Sequence, residues 1–139
     1  GPEQLYEEGV RRWVVLARRY SQGDHKPWRR MVSDDDRRKN AEVVRMMTEA
    51  AEQGHAMAQV HLGSIYDNGQ GVPQSDALAA ELYRKAADQG GAPAQFNLGL
   101  MYRVGLGVEE NKVLAHMWFN SSIGRWFLCF INISFVHSI

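Results

Sequence analysis

The sequence repeats itself every 36 residues, and this internal repeat limits the possible fold more than any other feature. Small residues, aromatic residues and glycines all recur at the same offset. The matching positions include Leu62 and Leu98, Gly63 and Gly99, Tyr66 and Tyr102, and Ala79 and Ala115. A period of this length is typical of stacked supersecondary units, each of which buries its apolar face only against its neighbours. The chain is therefore expected to form a short repeat array.

The spacing within one unit predicts two helices that are joined by a glycine-rich turn. Ala58, Leu62 and Tyr66 are four residues apart, so they share one face of a first helix. Ser75 and Asp76 are alternative N-caps for a second helix, because a side-chain oxygen there can accept from a free backbone N–H group. Neither helix can bury its apolar stripe alone, so the units are expected to stack.

Glycine occurs inside the predicted first helix of both units, at Gly63 and Gly99. A glycine inside a helix costs about 1 kcal/mol relative to alanine. Its repeated use makes sense where a neighbouring helix approaches too closely for a Cβ atom. The two glycines therefore predict a close helix–helix contact in each unit.

The repeated pattern resembles the Sel1-like repeat, a relative of the tetratricopeptide repeat. It reads Ala-x-x-x-Leu-Gly-x-x-Tyr-x-x-Gly-x-Gly-Val, followed by Asp-x-x-Ala and then by Ala-Ala-x-Gln-Gly. Residues 56–91 form a near-complete copy, and residues 92–123 form a truncated one. The resemblance implies an all-α fold, namely an α/α right-handed superhelix in which helix–turn–helix repeats stack as a solenoid. Proteins of this family generally act as adaptors in protein complexes, so it also implies a scaffold that binds a protein or peptide partner.

The repeat divides the chain into three predicted regions. The first helix of the copy that precedes residue 56 is expected near residues 22–32, and a separate helix is expected over residues 4–20. The predicted regions are a degenerate N-terminal helical or capping region at 1–40, repeats at 41–123 that begin with a partial copy at 41–55, and an apolar C-terminal tail at 124–139.

The tail is apolar, but its last 14 residues are too few to span a membrane. A repeat array needs its last apolar face covered. We therefore expect residues 125–139 to pack either back over the array or against a second copy of the chain, which would give a homodimer. Phe130 and Ile133 are the expected buried pair, whereas Asn132 and His137 are expected to face solvent.

Equivalent positions of the two first helices predict the binding surface. If Ala58, Leu62 and Tyr66 form the buried centre of the first helix, its other side is open, and two apolar residues one turn apart should not both face water without a partner. Phe96 and Leu100 are therefore the predicted apolar anchors. The whole predicted surface comprises Val60, His61, Ser64 and Asp67 from the first unit, and Phe96, Asn97, Leu100 and Arg103 from the second.

The residues that carry catalytic or metal-binding chemistry are scattered. The five histidines do not form a metal-ligand spacing, and the single cysteine, Cys129, excludes an intramolecular disulfide. No nucleophile, base and orienting group occur in a recognisable set. We therefore predict that the chain is not an enzyme, and that it binds neither a metal nor a cofactor. No segment resembles a secretory signal peptide, so a soluble protein is expected, in the cytoplasm in preference to other compartments.

Two other functions stay open. The arginine doublets of the N-terminal region, such as Arg11-Arg12 and Arg18-Arg19, would form a phosphate- or nucleic-acid-binding patch if they lack counter-charges. Against this, the chain holds 16 basic and 16 acidic residues, so its net charge is zero and no nucleic-acid partner is expected. The family resemblance also leaves a hydrolase of the β-lactam-binding type as an alternative.

The tail gives a testable prediction. Deleting residues 126–139 should lower the free energy of unfolding, increase aggregation, or convert a dimer to a monomer, because apolar surface would lose its cover. Urea unfolding and light scattering measure these effects. A truncated chain of equal stability, solubility and mass would show that the tail contributes nothing to the array.

Overall fold

The computed structural model describes residues 1–20, 27–31 and 33–137, and gives side chains up to Gly124 for all of these except Pro27. Every regular element in these ranges is a helix, which confirms the predicted all-α repeat solenoid. The elements are α1 (Pro2–Arg18), a short 3₁₀ turn (Pro27–Arg30), α2 (Asp34–Glu52), α3 (Ala56–Asn68), α4 (Asp76–Asp88), α5 (Ala92–Val104) and α6 (Lys112–His137).

In the two complete helix pairs, α3–α4 and α5–α6, the helices begin at equivalent residues, and the first helices also end at equivalent residues. Gly69 and Gly105 end the first helices with φ angles of 66° and 75°, a left-handed conformation that glycine adopts without a steric penalty. Ser75 is the N-cap of α4, since its hydroxyl oxygen accepts from the Leu78 N–H at 3.2 Å. Asn111 occupies the same position before α6, so the cap persists although the residue type changes.

Each helix pair is held by a close glycine contact, as the sequence predicts. A Cβ atom added to Gly63 would lie 2.8 Å from the ring of Tyr83 in α4. A Cβ atom added to Gly99 would lie 2.7 Å from the ring of Phe119 in α6. Real Cβ atoms essentially never come so close to another heavy atom, so only glycine lets these helices approach as they do.

The first helix of the preceding unit is α1, and it does not lie near residues 22–32 as expected. Gly9 packs on Met47 of α2, and an added Cβ atom would lie 2.8 Å from the Met47 methyl carbon. Met47 precedes Tyr83 by 36 positions, so the contact repeats the one at Gly63. Helix α1 lies earlier in the sequence than the 36-residue period predicts, because the connection between α1 and α2 is longer than the loops within the later units. In addition, α2 begins at Asp34 and therefore crosses the predicted boundary at residue 40.

Helix α6 continues without a break beyond the predicted end of the repeats. The Ser122 hydroxyl donates to the Ala92 carbonyl at 3.1 Å, so α6 has reached the start of α5 by this residue. The backbone of residues 125–137 then extends for about 20 Å in the same direction, at 1.5 Å per residue. It does not turn back over Phe96 and Leu100, because a continuous helix cannot reverse. The predicted packing of the Phe130, Ile133, Asn132 and His137 side chains lies outside the described residues.

The described core consists of two clusters of buried residues that follow each other along the array. One lies mainly between α2 and α3, and the other lies mainly between α4 and α5, with Trp118 of α6 at its edge. The core is therefore built between units as well as within them. Among the described residues, no helix is both long enough and apolar enough to cross a membrane.

The glycine contact can be tested by adding one methyl group. Gly63→Ala should lower the free energy of unfolding by about 1–3 kcal/mol, because the new Cβ must displace the Tyr83 ring. Gly124→Ala is the matched control, since an added Cβ there meets nothing within 4 Å. It should stabilise α6 by up to about 1 kcal/mol. Urea unfolding followed by circular dichroism measures both, and equal stability of Gly63→Ala and the unmodified chain would contradict the packing argument.

Candidate functional site

The eight residues of the predicted binding surface lie on α3 and α5, but their environments differ. The residues from α5 are mostly open to solvent, whereas most of those from α3 contact other helices. Phe96, Leu100, Asp67 and Arg103 are exposed, while Val60, His61, Ser64 and Asn97 are half-buried. The structure therefore supports an open surface on α5 more strongly than on α3.

The exposed apolar residues of α5 form a continuous row. Phe96, Leu100 and Val104 are one turn apart and are 48%, 40% and 59% exposed. We call these three residues the α5 stripe. Val104 is missing from the predicted surface, although extending the four-residue spacing by one step would have included it. Exposed apolar residues in a row are characteristic of interaction sites.

Phe96 is held in place by a second aromatic ring. Its ring centroid lies 5.5 Å from that of Phe119, and the two rings are inclined at 52°. Tilted pairs at this distance are a favoured arrangement of aromatic side chains. Phe119 is itself fixed by its contact with Gly99. The exposed ring of Phe96 is therefore preorganised for contact with a partner.

His61 faces α1 and not the open surface. Its ring lies 5.2 Å from the ring of Tyr6, and it lines a cavity of about 160 Å³ among α1, α2 and α3. Burial lowers the pKa of His61 below 6.5, and the nearby His55 lowers this pKa further. The sequence could not reveal this environment, because the position of α1 departs from the repeat.

Ser64 and Asp67 belong to the contact between α3 and α4. Ser64 shares a hydrogen bond with the Tyr83 hydroxyl group and accepts another from the Asn68 side chain at 3.2 Å. Burial, and to a lesser degree the charge of Asp67, raises the pKa of Tyr83 to about 12. The Ser64 side chain is therefore held by hydrogen bonds between helices and within α3. Its counterpart in the second unit, Leu100, is exposed.

The arginine doublets carry counter-charges from their own helix and from the neighbouring helix. Arg12 contacts both Glu8 and Glu42 at 2.8 and 2.9 Å, and Arg11 contacts Glu8 at 3.1 Å. Other pairs that bear on the doublets are Arg19 with Asp36, Arg37 with Asp34, and Arg38 with Asp35. Since these charges are already balanced, the contacts weigh against a phosphate-binding patch.

One of the described histidines, His55, serves as a helix cap. His55 accepts from the Ala58 N–H through Nδ1 at 3.1 Å, and its Nε2 contacts Glu3. Its ring stacks on Tyr6, with the centroids 4.6 Å apart. These contacts join α1 to the start of α3. Within the described residues, no three or more metal-binding side chains converge.

Comparison with known proteins identifies the repeat. Residues 56–91 and 92–123 each match the family model for the Sel1 repeat. A Sel1 repeat protein from Oxalobacter formigenes is 35% identical in sequence, with a TM-score of 0.58, over 60% of this chain and 24% of that one. A protective antigen from uropathogenic Escherichia coli that displays an SLR fold is 33% identical, with a TM-score of 0.63, over 90% of this chain and 26% of that one.

A third structure shares the fold at lower sequence identity. Cysteine rich protein B of Helicobacter pylori is 20% identical, with a TM-score of 0.60, over 85% of this chain and 88% of that one. This chain thus spans about a quarter of the length of the Oxalobacter and Escherichia proteins. No curated protein sequence matches it significantly.

The environment of His61 predicts a pH dependence of stability. Below pH 6.5 the unfolded chain takes up a proton at this residue before the folded chain does, so the free energy of unfolding should fall as the pH decreases. His61→Asn, which installs the residue found at position 97, should reduce this decline. His116→Asn, at an exposed position, should retain it. Urea unfolding between pH 8 and pH 5 tests the prediction, and identical pH profiles for the two variants would contradict it.

Proposed function

Because this chain is a Sel1 repeat protein, we propose that it acts as an adaptor that binds a peptide or protein partner along α5. Repeats of this family generally serve as protein–protein interaction modules. The observation that carries the proposal is the α5 stripe, in which Phe96, Leu100 and Val104 are all at least 40% exposed. A partner that covers the stripe would remove apolar surface from water, which is the main driving force of association.

The surroundings of the stripe are consistent with an interface centre and its rim. Asn97 and Arg103 lie beside the apolar residues on the same helix and supply hydrogen-bond donors. Interfaces typically combine a few buried aromatic or apolar anchors with a polar rim. The residues from α3 contribute at the margin, since Val60 already packs against the buried cluster between α4 and α5.

Sel1 repeat proteins are typically non-enzymatic scaffolds, and the proposed role is of this kind. The nucleic-acid alternative loses support because the arginine doublets are ion-paired with carboxylates. No contact in the described part of the chain favours the hydrolase alternative. The adaptor is therefore the function that we put forward.

A pair of charge substitutions tests the proposal. Partners are captured from an extract with the unmodified chain and with Phe96→Asp/Leu100→Asp. Met57→Asp/Leu78→Asp is the matched control, because both residues are similarly exposed, at 41% and 45%, on other helices. The partner should bind to the unmodified chain and to the control, but not to the stripe variant.

Calorimetry with the purified chain and partner then measures the free energy of binding. Truncation of an anchor typically costs about 2 kcal/mol or more, which is roughly a 30-fold loss of affinity. Phe96→Ala should therefore weaken binding of the captured partner by about this factor in calorimetry. An unchanged dissociation constant would show that the partner binds elsewhere.

A further inference from the structure

In the described part of the chain, α6 exposes a face whose counterpart in α4 is covered by a helix. Ala80 and Ala87 of α4 are 3% and 2% exposed, because α5 packs over them. Their counterparts 36 positions later are His116 and Ile123, and both are exposed, Ile123 at 62%. In the described part of the chain, α6 has no neighbour on this side.

This end face contains a groove between α5 and α6. Its volume is about 280 Å³. We call it the end groove, and its lining residues are Arg103, Lys112, Ala115, His116 and Phe119. In the preceding unit, Ala79 and Tyr83, the counterparts of Ala115 and Phe119, belong to the same buried cluster as Leu98 and Met101 of α5. The end groove is therefore shaped to receive an apolar side chain.

The charges at the rim of the groove are reversed relative to the preceding unit. Arg103 replaces Asp67 and Lys112 replaces Asp76 at the 36-residue offset. Neither cation is ion-paired with a carboxylate among the described residues, although Glu109 and Glu110 lie in the adjoining loop. This face thus combines an apolar wall with two cations that form no ion pair with a described carboxylate.

Another regular repeat would not fit this face. In the preceding interface, a first helix packs closely because α4 presents the small side chains of Ala80 and Ala87. His116 and Ile123 stand in their place and would hold such a helix away from α6. Moreover, α6 continues to His137, so the turn that would start a further unit at the regular position is absent.

We propose that the end groove binds an acidic peptide segment that carries one large apolar side chain. The apolar side chain would lie against Phe119 and Ala115, and a carboxylate would accept hydrogen bonds from Arg103 and Lys112. The proposal rests on the adaptor function and adds the chemistry of the partner. The groove is continuous with the α5 stripe, because Phe119 contacts Phe96.

Such a site would select acidic peptides through its two cations and would gain affinity from the burial of the peptide's apolar side chain. Hydrogen bonds between a carboxylate and a guanidinium or ammonium group are about twice as strong as neutral ones. Ion pairs at a solvent-exposed rim mainly raise the association rate and exclude cationic partners, and salt screens them. Binding of the peptide should therefore weaken as the ionic strength increases.

Selection from a random-peptide phage library tests the proposal. The library is panned in parallel on the unmodified chain, on Arg103→Glu/Lys112→Glu, and on the control Arg45→Glu/Lys85→Glu, which makes the same charge change at exposed positions of α2 and α4. Peptides with a large apolar residue beside Asp or Glu should be enriched on the unmodified chain and on the control. Their synthetic versions should bind the groove variant at least about tenfold more weakly.

The possible results distinguish a failure of the acidic-partner proposal from a failure of the adaptor function. Enriched peptides without a carboxylate bias, or with equal affinity for the groove variant, would overturn the acidic-partner proposal. If those peptides still fail to bind Phe96→Asp/Leu100→Asp, the adaptor function stands. No enrichment on the unmodified chain would count against both. A dimer that light scattering detects, and that Arg103→Glu/Lys112→Glu dissociates, would assign the groove to a second copy and overturn the proposal.

Folding of the groove variant is checked independently. Both substituted residues are exposed, so circular dichroism and the urea midpoint should match those of the control. If the double charge reversal unfolds the chain, Arg103→Gln/Lys112→Gln removes the charges without adding new ones. The same loss of affinity for the acidic peptides is expected, and undiminished binding would overturn the proposal.

Discussion

The structure depends on how closely the two helices of each pair approach each other. A glycine in the first helix lies against a large side chain in the second, as Gly63 does against Tyr83 and Gly99 against Phe119. The close approach fixes which side of each first helix is buried and which side is left open. The exposed position of Phe96, one turn before Gly99, follows from this contact, and so does the groove beside Phe119.

A second set of contacts repeats between units. Gln59 donates to the Ala51 carbonyl at 3.2 Å, and Gln95 donates to the Ala87 carbonyl at the same distance. Each glutamine thereby adds a second hydrogen bond to a carbonyl at the end of the preceding helix, which also accepts from the backbone N–H of Gly54 or Gly90. A buried polar group with a fixed partner restricts the rotation of one unit on the next. The orientation of α5, and of the stripe it carries, is set in this way.

The 36-residue period was sufficient to predict the helices, their glycine contacts and the exposure of Phe96 and Leu100. It could not place α1, because Gly9 precedes Gly63 by 54 positions and lacks the neighbouring leucine and tyrosine of the motif. The inward orientation of His61 was missed for the same reason, since it depends on Tyr6 of α1. The groove beside Phe119 required the fold, because the sequence indicated that the last apolar face needs a cover but did not indicate that Arg103, Lys112 and His116 line an open groove there.

The extensive contacts in the described chain all join consecutive helices, from α1–α2 to α5–α6. Each contact therefore closes only a short loop of chain, and the contact order is low. Chains of this type fold quickly, since little loop entropy is lost before a pair of helices can form. Folding can also begin at any pair and spread to its neighbours, as in a one-dimensional lattice. In the described chain, α1 and α6 each pack extensively on one helix, whereas α2 to α5 each pack on two, so local opening occurs at α1 and α6 at a lower free energy than in the middle helices.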